Sequence, residues 1–137
     1  MATRIRKVAY YKTLVPNRTG QGAKVLGALG EAGVNLLAVL GFPEAGRAQL
    51  DLVPEDRAAF SRAARRAGIR LSGPTPVFGI AGDDRPGAVA AVLAKLARAR
   101  INVTAAAAAR AGGWRYGALL WVKRRDVAKA ARALRAR

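Results

Sequence analysis

"GDDRPGAVAAVLAKLARARINVTA", residues 82–105, passes from a polar turn closed by glycine through an apolar periodic stretch to an Asn set between β-branched residues. "VPNRTGQGAKVLGALGEAGVNLLA", residues 15–38, makes the same passage earlier in the chain. At an offset of 67, Gly20 falls on Gly87, Leu26 on Leu93, Leu29 on Leu96, Val34 on Ile101 and Asn35 on Asn102. Past a hairpin that is three residues longer in the second copy, Leu50 meets Leu120 and Asp56 meets Asp126. Agreement sustained over so many positions reads as a tandem repeat.

The first copy fixes the order of elements. "KVAYYKTLV" (7–15) is rich in β-branched and aromatic residues and reads as a strand, with "PNRTGQG" as the turn after it. Between residues 23 and 32, Val25, Leu26 and Leu29 share one helical face, and Gly33 stands where a left-handed C-terminal cap belongs. "VNLLAVLGF" (34–42) and "RAQLDLV" (47–53) read as strands of a hairpin. Pro54, Glu55 and Asp56 open a helix that closes at Gly68, and "IRLS" (69–72) is a short last strand. The order is βαββαβ.

The second copy repeats it with a strand at "PVFGIAG", a helix over 87–100, strands at "INVTAAAAA" and "YGALLWVK", and a helix over 126–136. Its fourth strand is missing, so its sheet is expected to end on an unpaired edge unless another chain or the first copy covers it. The expected fold class is α+β: two tandem ferredoxin-like βαββα(β) units, with antiparallel sheets and helices on one face. The units are residues 1–73 and 74–137, divided near "SGPTP" (72–76), where Gly73, Pro74 and Pro76 break regular structure.

A polar turn ending in Gly, then a helix, then a hydrophobic-Asn-hydrophobic strand start resembles the ACT domain family. "DDRPGAVAAVLAKLARARINV" carries the sharper match, and "PNRTGQGAKVLGALGEAGVNL", with Thr19 in place of the proline, carries the other. The resemblance covers nearly the whole chain and implies a stand-alone tandem ACT-domain protein, regulatory and not an enzyme. It also implies a small-molecule ligand, an amino acid above all, bound where ACT units meet.

The turn chemistry supports such a ligand independently. A glycine turn entering a helix exposes N–H groups without intrahelical partners, and the helix dipole favours an anion there. Asn35 or Asn102 offers both donor and acceptor to an amino acid. The candidate ligand-binding residues are therefore Asn17, Gly20, Asn35 and Leu36 in the first copy, and Asp84, Gly87 and Asn102 in the second. Leu36, Leu37 and Phe42 would serve an apolar ligand side chain, whereas "TAAAAA" (104–109) offers little beyond Thr104. The same residues also admit purely structural roles, the Asn or Asp as a helix N-cap and the Gly as a conformational necessity.

Composition removes much other chemistry. The 137 residues include no Cys and no His, which excludes disulfides, thiolate nucleophiles and the ordinary proton shuttle. "GQGAKVLG" lacks the third glycine of a dinucleotide fingerprint, and no Walker sequence occurs. The paired acids Glu55-Asp56 and Asp83-Asp84 are neighbours in sequence, poorly placed to share a cleft as acid and base. No cofactor and no metal site is expected. The basic start lacks an apolar stretch and cleavage site, and no apolar run reaches membrane-spanning length, so a cytoplasmic protein with no membrane partner is expected.

The formal charge of +17 sustains a competing function, nucleic-acid binding through Arg-rich helix faces. Arg57, Arg62, Arg65, Arg66 and Arg70 load one helix and its exit, and Lys123, Arg124, Arg125, Lys129, Arg132, Arg135 and Arg137 load the last. Tyr10, Tyr11, Phe78, Trp114, Tyr116 and Trp121 fall on expected strands, though without an RNP pattern. Ala- and Arg-rich codon usage would produce the same charge with no partner. The open edge of the second copy also predicts a homodimer through sheet edges or faces.

Overall fold

A computed structural model describes residues 3–137. The elements run β1 (Arg4–Pro16), α1 (Gln21–Glu31), β2 (Leu36–Glu44), β3 (Arg47–Pro54), α2 (Arg57–Ala67), β4 (Ser72–Asp83), α3 (Ala88–Arg98), β5 (Val103–Gly112), β6 (Arg115–Val122) and α4 (Val127–Leu134). The chain forms two compact units, residues 9–75 and residues 3–8 with 76–137.

In the first unit β3 pairs antiparallel with both β1 and β2. Period-two alternation sends Tyr11 and Val15 of β1 and Leu50 and Leu52 of β3 to one face. Val25 and Leu29 of α1 and Phe60 and Ala63 of α2 meet them there, so both helices cover the same face. The Tyr11 and Phe60 rings lie 4.9 Å apart, tilted by 44°. Asp56 caps α2, its Oδ1 accepting from the Ala59 N–H at 3.1 Å, and Gly68 ends that helix at φ +72°. A side chain at Gly68 would strain the backbone although the space around it is open.

The second unit repeats the plan. β6 pairs antiparallel with β4 and β5, and Phe78, Ile80, Tyr116, Ala118 and Leu120 face Val92 and Leu96 of α3 and Val127, Ala130 and Leu134 of α4. The βαββα order and the helix-covered antiparallel sheet are those expected from the repeat.

Three features differ from the sequence reading. Of "IRLS" (69–72), only Ser72 belongs to a strand, as the first residue of β4, while Ile69 and Leu71 pack against the first core. "SGPTP" does not break regular structure: β4 runs through it, and residues 72–75 lie beside β1 in the first unit. A Cβ at Gly73 would come within 2.9 Å of the Tyr10 carbonyl oxygen, so that proximity needs glycine. The edge expected to stand open in the second unit is covered, and by the first copy. Residues 4–8 of β1 lie beside β4, with Val8 against Gly79 and Ile5 6 % exposed in the second core. Their outer side is engaged too, because the Lys7 N–H donates to the Arg137 carbonyl and the Arg137 N–H to the Ile5 carbonyl, both at 3.0 Å. That edge therefore supplies no reason for self-association.

Candidate functional site

The two helix-entry turns are built alike. Gly20 and Gly87 are the N-cap residues of α1 and α3, at φ +88° and +80°, and neither helix has a side-chain cap. Asn17 and Asp84 are thus not caps, which removes the simplest structural role for both. The first N–H of each helix is used inside the turn: Gln21 donates to the Arg18 carbonyl at 3.3 Å and Ala88 to the Arg85 carbonyl at 3.1 Å. The next two N–H groups, of Gly22 and Ala23 or of Val89 and Ala90, have no partner within their helices.

Beyond this the turns diverge. Asn17 is exposed, and it projects no charge beside Gly20. Asp84 is half-buried and held twice, its N–H donating to the Trp114 carbonyl at 2.8 Å and its Oδ2 accepting from Nη1 of Arg110 at 3.1 Å. Next to it Arg115 Nη1 donates to Asp83 Oδ1 at 2.9 Å. These contacts draw the turn onto the β5–β6 hairpin.

Between turn and hairpin lies an open groove of about 430 Å³, lined among others by Asp84, Arg85, Gly87, Ala108, Arg110 and Tyr116. Ala108 and Arg110 share a face of β5, and Tyr116 stands opposite Arg110 in the register. The alanines leave the groove wide while Arg110, one residue past the alanine run, charges its rim. Burial pushes the Tyr116 phenol above its ordinary pKa, against the lowering effect of Arg115 and Arg85, so the ring enters the groove wall as a neutral group. Val89 and Ala90 also line the groove, which brings the uncapped start of α3 to its wall. An uncapped helix start, two guanidinium groups and one carboxylate thus share one small space.

The asparagines sit elsewhere. α1 and α3 each span 11 residues, about 16 Å at 1.5 Å per residue, and Asn35 and Asn102 follow their far ends. Asn35 is thus a helix length from Gly20 in its own unit, and Asn102 a helix length from Gly87. Asn35 is instead fastened to the residue ahead of the α2 cap: its Nδ2 donates to Glu55 Oε2 at 2.9 Å, and its carbonyl accepts from the Glu55 N–H at 3.1 Å. Asn102 is exposed, and Leu36 packs against the first core. Thr104 spends its hydroxyl on the Trp121 carbonyl at 3.1 Å.

Of the six aromatics expected on strands, four are closed to solvent and Tyr10 is half-buried. Tyr11, Phe78, Tyr116 and Trp121 are buried, and the Tyr11 hydroxyl accepts from Arg57 Nε at 3.2 Å. Trp114, expected on a strand, lies in the β5–β6 turn at φ +58° and is 81 % exposed. Among the described residues no cluster of three metal-ligating side chains occurs, and no helix is long and apolar enough to cross a membrane.

The sequence matches no protein-family model and no curated protein. Solved structures share its fold. A protein of Bacteroides thetaiotaomicron superposes with a TM-score of 0.81 at 20 % identity, over 96 % of this chain and 88 % of that one. The ligand-free regulatory subunit of aspartate kinase from Thermus thermophilus gives 0.65 at 20 % identity, over 98 % and 95 %. The corresponding subunit from Thermus flavus gives 0.60 at 16 % identity, again over 98 % and 95 %. The fold is the ACT-like, ferredoxin-type one that the repeat implies.

Proposed function

We propose that the protein is a non-enzymatic regulatory module that binds an α-amino acid in the groove between the α3 entry turn and the β5–β6 hairpin. The observation that carries this reading is the pairing of an uncapped helix start with both signs of side-chain charge in one groove. A ligand carboxylate would meet the Val89 and Ala90 N–H groups and Arg85, where the helix dipole adds to the attraction. The ligand ammonium would meet Asp84. Arg110, displaced from Asp84, would turn to the carboxylate, so that one zwitterion replaces one internal ion pair.

Asp84 and Gly87 are thus assigned to the ligand, together with Arg85 and Arg110. The equivalent turn at Asn17 and Gly20 presents the same backbone, with Arg18 in the place of Arg85 but no counterpart of the Asp84 carboxylate or of Arg110, and would bind more weakly. Asn35, Leu36 and Asn102 are given structural roles. The likeness to regulatory subunits of aspartate kinase supports a regulatory role and lends nothing to the choice of ligand.

The output would be a change in association. On the sheet face away from the helices, Leu14 and Phe42 flank Gln49 across three strands, and they are 48 % and 39 % exposed. That row, apolar at both ends with Gln49 between, offers a second copy a place to pair, in place of the edge that residues 4–8 cover.

The test is thermal unfolding of the full chain against each of the twenty amino acids. Any amino acid that raises the midpoint is then compared with its N-acetyl and carboxamide forms. The expected result is a shift from the free amino acid and none from either blocked form. Equal shifts from the blocked forms would remove the zwitterion reading.

A further inference from the structure

The second unit carries thirteen Lys and Arg between residues 76 and 137 against three Asp, and the three acids do not share that charge evenly. Asp83 and Asp84 are bonded to Arg115 and Arg110, and Asp126 stands at the start of α4. The opposite end of α4 is left to cations alone. There a groove of about 510 Å³ lies between the last turns of α3 and α4, lined by Lys95, Arg98, Ala99, Ala133 and Arg135.

Its construction follows from the sequence. Lys95 and Arg98 are three residues apart and share a helical face, while Ala99 and Ala133 are too small to fill the space between the helices. Arg135 ends α4 at φ +53°, a left-handed conformation that a non-glycine residue adopts at a cost.

Cations at helix C-termini offset the helix dipole, and that role must be subtracted first. Each helix end is equivalent to about half a negative charge, so the ends of α3 and α4 together balance about one of the three cations. A surplus of about two positive charges remains around a concave floor of methyl groups. No carboxylate lines the groove among the described residues.

We propose that this groove is a binding site for a phosphate dianion or pyrophosphate group carried by a small ligand. The surplus charge matches a doubly charged anion, and the guanidinium forks of Arg98 and Arg135 suit phosphoryl oxygens. Three cations gathered around a floor of two alanines, with no aromatic side chain in the lining, favour a compact anion over a polymer, which would need a longer basic track and stacking aromatics beside it. The site is separate from the amino-acid groove and stands whether or not that assignment holds.

The experiment is calorimetric titration of the full chain with inorganic pyrophosphate, inorganic phosphate and a short single-stranded oligonucleotide at one fixed ionic strength. Two double variants of equal charge loss are compared, Lys95→Gln/Arg98→Gln in the groove and Arg62→Gln/Arg66→Gln on α2. All four positions are exposed, so both variants keep the wild-type fold, as circular dichroism would verify. Wild type is expected to bind one pyrophosphate per chain, with affinity falling about tenfold or more in the groove variant and about twofold or less in the α2 variant. Equal losses in both variants would overturn the proposal by showing only the general field of a basic protein. Tighter binding of the oligonucleotide, displacing pyrophosphate, would overturn it in favour of a nucleic-acid surface, and no pyrophosphate binding would overturn it outright.

Discussion

Asp84 and Arg110 face one another at 3.1 Å where the α3 entry turn meets the β5–β6 hairpin. Their side chains are 29 % and 65 % exposed, so the pair contributes little to stability, about 0–1 kcal/mol. Its place in the groove suits exchange with a ligand better than bracing of the fold. Asp84→Asn is expected to lower amino-acid affinity about tenfold to a hundredfold, by removing a charged hydrogen bond to the ligand ammonium. The unliganded melting temperature should move by less than about 4 °C. Trp114 supplies the readout, since its carbonyl holds the Asp84 N–H and its indole is exposed.

Asn35 should behave oppositely. Its contacts run to Glu55, at the far end of α1 from the turn. Asn35→Ala is expected to cost about 0.5–1.5 kcal/mol of stability through the lost side-chain bond and to leave amino-acid binding unchanged. Urea unfolding and ligand titration on the same sample separate the two effects. Loss of binding with unchanged stability would return Asn35 to the site.

One strand carries two contrasting positions. Ile5 is 6 % exposed in the core of the second unit, and Leu14 of the same strand is 48 % exposed. Ile5→Ala should destabilise by about 2–4 kcal/mol, as loss of a buried branched side chain does. Leu14→Ala should stay within about 0.5 kcal/mol. Light scattering of the two variants also tests the edge. Ile5→Ala, which loosens the strand covering β4, should raise association at high concentration, while Leu14→Ala should lower it by trimming the exposed row.

Alkaline pH tests the groove wall. Burial raises the Tyr116 pKa, so the folded state favours the neutral phenol. The associated stability is fully present below the ordinary tyrosine pKa of 10.0 and is lost as pH rises through the higher folded value. Ultraviolet absorbance should show a late phenol ionisation that Tyr116→Phe removes. Gly82→Ala probes the same ring by packing, because a Cβ there would fall 2.7 Å from Tyr116 Cε1. A loss of about 1–3 kcal/mol is expected from the ring's displacement.

The fold was legible because its signals are local and written twice. Gly20 and Gly87 align at one offset, both open helices, and the apolar faces of α1 and α3 follow from spacing alone. The strand that completes the second sheet was not legible as such. Residues 7 and 8 read as the front of a first-copy strand and residues 4–6 only as a basic start, and the neighbours of all five in space are fixed by tertiary pairing that no local pattern records. Site geometry falls between. Asp84 and Gly87 follow from turn chemistry, whereas the donor and acceptor of Asn35 say nothing of the whole helix that separates it from Gly20. Arg110 could have been found, because period-two alternation from Ala108 puts it on the groove face.

The assignment of an amino acid to the α3 entry turn is tested most directly by mapping backbone amide shifts of the full chain as a shift-inducing amino acid is titrated in. Saturable changes at Val89 and Ala90, together with Asp84, Arg85 and Arg110, are the predicted result. Changes confined to Asn17, Gly20 and Asn35, with the α3 turn undisturbed, would contradict it.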